Sequence, residues 1–193
     1  QGNDIFIGNN ASNNLDGGEG IDTVVIGLPR HQFTFGKSSG NYSIAANANP
    51  ANQDILLNIE RVEFDDIGLA LDLDGHAGEV AKLLGAVFGA SSAANQEYAG
   101  IGLTKADEGL SYEQLGEFAI NATNLTQHDE IVTLLWQNLF GIIPTQSDKS
   151  PYINMLDNGE ISVGSLAMLA ADSEVNTQHI HLTELMQTGL AYI

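Results

Sequence analysis

The chain has 193 residues, 43% of them hydrophobic, which is enough for one compact domain or for two small ones sharing a core. It has 25 Asp and Glu against 6 Lys and Arg, a net charge of −19, and such a surface disfavours nucleic acids and anionic membranes as partners. The absence of cysteine excludes disulfides, thiolate metal sites and cysteine nucleophiles, and no segment has the ~20 consecutive apolar residues of a membrane span.

The first 27 residues carry a nine-residue spacing of glycine, polar and apolar residues. Residues 17–25, Gly-Gly-Glu-Gly-Ile-Asp-Thr-Val-Val, fit the pattern G-G-x-G-x-D-x-U-x at every position, where U is a large apolar residue. Steps of nine residues give a polar column of Asp4, Asn13 and Asp22 and an apolar column of Phe6, Leu15 and Val24. This spacing predicts tight turns that alternate with short strands, each pointing one apolar side chain inward.

The polar column predicts a calcium site. Two nine-residue repeats form one coil of a parallel β-roll, so Asp4 and Asp22 are expected to lie above one another and to share one Ca²⁺. Carbonyl groups near Gly2, Gly18 and Gly20 are expected to complete the oxygen shell. Asn13 falls on the opposite edge as a further candidate ligand. Its turn has Ala11 in place of glycine, and the polar column reaches His31 nine residues after Asp22, so the sequence does not favour a second site there.

These turns resemble the haemolysin-type, or repeats-in-toxin, family of calcium-binding proteins. The resemblance implies a roll that folds on extracellular Ca²⁺ and a protein that leaves a Gram-negative bacterium through the type I secretion machinery. Because the register begins within a repeat at Gln1, we expect further coils upstream. The tail, residues 189–193, is apolar and free of Lys and Arg, which fits the uncleaved C-terminal signal of that pathway.

After residue 27 the sequence changes to short alternating segments. Residues 33–35 and 42–44 flank a glycine-rich turn and predict a β-hairpin, and further strands are predicted at 55–57, 62–64 and 69–71. The turn, Gly36-Lys37-Ser38-Ser39-Gly40, also matches the G-x-S-x-G motif of serine hydrolases. That motif requires a strand-to-helix turn, which this segment does not predict, so we assign no catalytic residue here.

From residue 76 the apolar spacing becomes that of α-helices and repeats itself. The segment Val80-x-x-Leu83-x-x-x-Val87-Phe88-Gly89 matches Val132-x-x-Leu135-x-x-x-Leu139-Phe140-Gly141 at an offset of 52 residues. Asp107-Glu108-Gly109 is then mirrored by Asp157-Asn158-Gly159. This pattern resembles a helical domain of unknown function appended to bacterial secreted calcium-binding repeat proteins. Helical units of this size bury their apolar faces by packing on each other.

Two other groups of side chains have residue types that can bind metals. Asp72-Leu73-Asp74-Gly75 resembles part of an EF-hand loop but lacks the Glu that closes one, which favours a solvated acidic turn. His179 and His181 form an H-x-H pair, which on a helix would diverge and has no third ligand nearby in sequence.

The sequence thus predicts an α+β fold: a short N-terminal calcium-binding parallel β-roll (1–27), a β-hairpin cap (28–74) and an all-helical domain of two divergent repeats (75–193). The predicted function is a calcium-binding, non-catalytic C-terminal module of a protein secreted to the exterior or cell surface. Two alternatives stay open. The helical repeats could form an adhesion or surface-layer module that binds a glycan, a peptide or another copy, or the chain could be the tail of a secreted hydrolase or glycan-modifying enzyme.

Overall fold

A computed structural model describes residues 2–9, 11–38 and 40–193. Within these ranges the strands are β1 (Ile5–Ile7), β2 (Asn14–Asp16), β3 (Thr23–Val25), β4 (Phe33–Ser38), β5 (Asn41–Ala46), β6 (Gln53–Leu57), β7 (Arg61–Glu63), β8 (Gly68–Ala70) and β9 (Leu190–Tyr192). The α-helices are α1 (His76–Phe88), α2 (Gln96–Asp107), α3 (Tyr112–Ala122), α4 (His128–Phe140), α5 (Gln146–Asp157), α6 (Val163–Ala171), α7 (Glu174–His179) and α8 (Leu182–Thr188). Short 3₁₀ helices cover Arg30–Gln32 and Ala90–Ala94.

The chain divides into two compact units. Residues 1–77 together with 183–193 form one, here called the sheet unit, and residues 78–182 form the other, here called the helical unit. The described residues contain no helix with both the length and the apolar character needed to cross a bilayer.

The sheet unit contains two mixed β-sheets. The five-stranded sheet has the order β1-β3-β7-β8-β9, in which β1, β3 and β7 are parallel and β8 and β9 are antiparallel to their neighbours. The four-stranded sheet has the order β2-β6-β5-β4, in which only the β2–β6 pairing is parallel. Each sheet therefore combines strands from the glycine-rich turns with strands from the segment that follows them.

The predicted fold class is wrong in two respects. The N-terminal strands form two mixed sheets rather than a β-roll, because the nine-residue spacing ends at β3 and the strands beyond it pair mainly with their chain neighbours in antiparallel ladders. The part beyond residue 75 is not all-helical either, because its last residues form β9. The fold is a mixed α/β one in which the end of the chain completes a sheet begun at its start.

The C-terminal tail is an integral part of the sheet unit. Leu190 is 1% exposed and pairs with Ala70 in β8. The ring of Tyr192 lies so close to Gly68 that a Cβ at that position would overlap it. The segment that the sequence suggested as a secretion signal therefore contains a partly buried edge strand in the folded chain.

The core of the sheet unit draws on both sheets. Its buried side chains are Val24, Tyr42, Ile44, Leu56, Ile59, Val62, Phe64, Leu69 and Leu71. Phe6 and Leu15 pack against this cluster from β1 and β2, so all three residues of the predicted apolar column point inward. Burial of side chains of this size contributes about 1.5–3 kcal/mol each, which makes this cluster the main stabilising feature of the unit.

Tyr42 links the core to the C-terminal segment. Its hydroxyl donates a hydrogen bond of 2.8 Å to the carbonyl oxygen of Met186. Burial, with smaller effects from the negative charges of Asp74 and Asp72, raises the pKa of Tyr42 to about 12. The folded state therefore holds the phenol proton more tightly than an unfolded chain, in which a tyrosine has a pKa of about 10.

We expect the sheet unit to lose stability as the pH rises from about 10 to 12, since the contribution of the neutral phenol is complete below the unfolded pKa and disappears above the folded one. Tyr42→Phe should cost about 1 kcal/mol at neutral pH, because the Met186 carbonyl loses its donor, and should make the alkaline loss shallower. The free energy of unfolding, measured with urea between neutral and alkaline pH, reports both effects. Tyr98→Phe, which changes an exposed tyrosine, is the control. If Tyr42→Phe and the parent lose equal stability at alkaline pH, this account is contradicted.

The helical unit contains two segments with the same order of three helices. Helices α1, α2 and α3 have 13, 12 and 11 residues, and α4, α5 and α6 have 13, 12 and 9. The apolar stripe of α1 is buried, with Val80 and Leu83 each 3% exposed. Gly89 and Gly141 follow the first helix of each segment with positive φ angles of 90° and 69°, a backbone that favours glycine and ends the helix.

Capping residues set most of the helix starts. Ser111 and Gln114 form a capping box at α3, as their spacing predicts. The pair Ser150-Pro151 is typical of an N-cap followed by proline at the first helical position, and a helix start there is predicted. That prediction is wrong, because α5 begins five residues before Pro151, at Gln146, with Thr145 as its N-cap, and Pro151 lies inside the helix. The reason is that Thr145 and Asp148 form a capping box of their own, which satisfies the first backbone donors of the helix.

The two segments pack through glycines on α3 and α6. A Cβ on Gly116 would lie 2.8 Å from the Gly164 carbonyl oxygen, and a Cβ on Gly164 would overlap the Glu113 carbonyl oxygen. Only residues without a side chain allow the backbones of the two helices to approach so closely. This contact brings the third helix of one segment against the third helix of the other.

Candidate functional site

The glycine-rich turn stacks directly on the start of the chain. Strand β1 pairs with β3 so that Ile5 lies opposite Thr23, and the turns before these strands are joined by two backbone hydrogen bonds, Gly2 N to Glu19 O (3.0 Å) and Thr23 N to Asp4 O (2.9 Å). A Cβ on Gly20 would lie 2.5 Å from the Gly2 carbonyl oxygen. The predicted stacking of turns 18 residues apart is therefore present, and glycine is required where they touch.

Asp22 lies at the centre of this stack. Its side chain is fully buried, and its Oδ1 accepts a hydrogen bond of 2.6 Å from the backbone N–H of Asp4. Its Oδ2 is also buried and has no hydrogen-bond partner among the described residues. A buried carboxylate oxygen without a donor is costly, because nothing replaces the water it loses on folding.

A second oxygen lies beside the free oxygen of Asp22. A Cβ added to Gly17 would overlap both Asp22 Oδ2 and the backbone carbonyl oxygen of Asn58. The two acceptors therefore lie against the same face of Gly17. Neither can donate a hydrogen bond to the other, so the arrangement calls for a positively charged or donating group between or beside them.

The segment after Asn58 surrounds Asp22 with further charges. Glu60 Oε2 accepts a hydrogen bond of 2.8 Å from the backbone N–H of Asp22, and the backbone N–H groups of Glu60 and Arg61 both donate to the Asp22 carbonyl oxygen. Arg61 is 4% exposed and pairs with Asp72 at 2.5 Å. Burial raises the pKa of Glu60, the hydrogen bond from the Asp22 backbone N–H opposes that rise, and the negative charges of Asp22 and Asp72 add to it. Charged side chains thus surround Asp22, yet its Oδ2 has no hydrogen-bond donor among the described residues.

The predicted ligands are only partly brought together. Gly2, Asp4, Gly20 and Asp22 meet in the stacked turns, although the side chain of Asp4 is exposed. Gly18 has a positive φ of 88° and borders open space. Asn13 lies apart, next to β2 of the other sheet, where its side chain donates to Asp54 Oδ1 at 2.9 Å. The structure thus groups one pair of turns and separates Asn13 from them.

The other candidate groups have local roles. Asp72 is the partner of Arg61, and Asp66 accepts from the backbone N–H of Arg30. Ser38 ends strand β4 in a β-hairpin rather than a strand-to-helix turn, and Ser39 lies outside the described residues. Nowhere in the described ranges do three or more His, Cys, Asp or Glu side chains converge as metal ligands. A cation at Asp22 would therefore rely largely on carbonyl and water oxygens, which Ca²⁺ accepts.

Three residues of the site were not predicted from the sequence: Asn58, Glu60 and Arg61. The available signal was a charged pair inside an apolar run, since Glu60 and Arg61 are flanked by the buried Ile59 and Val62. Charged residues in such a position are buried only when they are paired or hydrogen-bonded, which makes them candidates for a site.

In comparisons with known proteins, no protein-family model and no curated protein matches the chain.

Proposed function

We propose that this chain is a calcium-binding, non-catalytic module of a secreted bacterial protein. The observation that carries the proposal is Asp22, a fully buried aspartate whose Oδ2 has no partner and lies with the Asn58 carbonyl against a glycine of the turn. The nine-residue motif that places Asp22 there resembles haemolysin-type calcium-binding repeats. Sequence motif and local chemistry support the same ion.

The ligands that the chain offers come from three segments. Asp22 supplies the free carboxylate oxygen and Asn58 a backbone carbonyl beside it, while the Asp4 carboxylate and the Gly2 carbonyl belong to the turn that stacks on the Oδ1 side of Asp22. Bound Ca²⁺ would supply the positive charge that the buried carboxylate lacks. Because Asp22 already joins the first turn to the segment at residue 60, an ion there would stabilise both junctions at once.

The charge of the sheet unit supports a role linked to secretion. Residues 1–77 and 183–193 contain 12 Asp and Glu against three Lys and Arg. Such an excess of negative charge opposes compaction where Ca²⁺ is scarce, as inside a cell, and is neutralised where Ca²⁺ is abundant. We propose that the chain is exported in a loosely folded state by type I secretion and folds outside the cell or at its surface.

Isothermal titration calorimetry tests the proposal. Protein stripped with a chelator and titrated with CaCl₂ should show saturable binding with a Kd of about 10⁻⁴ to 10⁻³ M, the range of extracellular calcium modules. Asp22→Asn should abolish this binding, because it removes the charged ligand. The exposed Glu117→Gln, on α3, is the matched control and should bind as the parent does. Absence of binding in the parent, or unchanged binding in Asp22→Asn, would refute the calcium site.

A further inference from the structure

The helical unit has two apolar clefts. The first cleft, of about 230 Å³, is lined among others by Val80, Leu84, Phe88, Gly102, Phe118 and Ala122. The second cleft, of about 410 Å³, is lined among others by Val132, Trp136, Phe140, Tyr152, Leu169 and Ser173. Both are lined almost entirely by apolar and aromatic side chains.

The two clefts occupy equivalent places in the two helical segments. Val80 and Val132 are each the fifth residue of the first helix of their segment, and Phe118 and Leu169 are each the seventh residue of the third helix. Leu84, Phe88 and Gly102 match Trp136, Phe140 and Tyr152 by position in their helices, and Ala122 and Ser173 lie four residues after Phe118 and Leu169. The clefts are therefore one feature present twice, rather than two accidental gaps in packing.

The mouths of the clefts expose apolar side chains. Phe118 is 38% exposed at the first cleft, and Leu169 and Phe140 are 57% and 45% exposed at the second. Both segments keep a large apolar residue at this exposed position of the third helix although many other positions differ between them. Exposed apolar groups around a concave surface are typical of binding sites rather than of ordinary protein surface.

The charge around the clefts defines what could bind there. Residues 78–182 contain 13 Asp and Glu but only three Lys, and each Lys already pairs with a carboxylate. Exposed Glu97 and Glu117 are adjacent in sequence to the cleft residues Tyr98 and Phe118. Asp172, which pairs with Lys82, lines the second cleft. This excess of negative charge repels anionic ligands and also a second copy of the chain, and it attracts cations.

We propose that each cleft binds an apolar side chain of a cationic amphipathic segment of another protein. The cleft volumes suit one or two large apolar side chains, and Lys and Arg around such an anchor would face the acidic surface. This inference concerns the helical unit alone and does not depend on calcium binding by the sheet unit.

A titration with synthetic peptides tests the inference on the full chain. The probe is a Leu/Lys peptide with leucines at i, i+3, i+4 and i+7, and the readout is the emission of Trp136, the single tryptophan of the protein, which lines the second cleft. Saturable binding that weakens with added salt is expected. A Leu/Glu peptide with the same apolar face and a Leu/Lys peptide with scrambled order should not bind.

Two matched variants locate the binding. Leu169→Gln should lower the affinity for the Leu/Lys peptide by about tenfold or more, since it removes an apolar contact at the cleft mouth. Ile143→Gln replaces a residue that is 76% exposed in the same unit and lies outside the cleft lining, so it should leave the affinity unchanged. Equal loss in both variants, equal binding of the Leu/Glu or scrambled peptide, or no binding would overturn the inference. If sedimentation experiments show that the parent self-associates and that Leu169→Gln abolishes this self-association, the inference is overturned and the occupant is a second copy of the chain.

Discussion

Asp22→Asn is expected to abolish the stabilisation of the sheet unit by Ca²⁺. A ligand present at 100 times its Kd stabilises the folded state by about 2.7 kcal/mol, which for a unit of this size raises the Tm by about 10 °C or more. The parent protein should show this difference between excess Ca²⁺ and excess chelator. Asp22→Asn should not, because the fully buried oxygen that has no other partner is no longer a carboxylate.

The same variant has an opposite effect without Ca²⁺. The buried charge of Asp22 is then uncompensated on one oxygen, so its replacement by a neutral amide of the same shape should leave the sheet unit as stable as the parent or more stable. Asp157→Ala is the control, since Asp157 pairs with His128 in the helical unit and should not alter the response to Ca²⁺. Most of the helical circular dichroism signal should be retained in excess chelator. Equal Tm values of the monomeric parent in Ca²⁺ and in chelator would contradict the calcium assignment.

Gly17→Ala is expected to destabilise the sheet unit by about 3 kcal/mol or more, with or without Ca²⁺. A Cβ at this position would overlap the Asn58 carbonyl oxygen and the carboxylate and Cβ of Asp22. Neither neighbour can give way cheaply, because one is backbone and the other is held by the N–H of Asp4. The variant therefore has to displace the segment at residue 58 or the turn itself.

Gly27→Ala is the matched control for this substitution. Gly27 lies after strand β3, and a Cβ there meets nothing within 4 Å and its φ lies outside the left-handed region. Its effect on stability should stay within about 0.5 kcal/mol. Urea unfolding compares the two variants directly, and a Gly17→Ala protein as stable as Gly27→Ala would show that the oxygens around Asp22 are not packed as described.

Features that depend on local spacing could be predicted from the sequence. The stacking of Asp4 on Asp22 follows from the nine-residue spacing, the β4–β5 hairpin from two alternating segments around glycines, and the start of α3 from the spacing of Ser111 and Gln114. In each case the residues that determine the feature lie within about two repeats of one another. Backbone hydrogen bonding and side-chain alternation act over that range, so their pattern is visible in the chain itself.

The tertiary structure alone decided the rest of the site and of the fold. The burial of Asp22 depends on the whole fold. Asn58 approaches Gly17 across 41 positions and Arg61 pairs with Asp72 across 11, and neither separation belongs to the nine-residue spacing. Strand β9 is three residues long, too short for a recognisable alternation, and it is a strand only because β8 offers an unpaired edge more than 100 residues earlier. That pairing makes the expected helical tail the last strand of a sheet, because a short strand takes its conformation from the partner it meets and not from its own sequence.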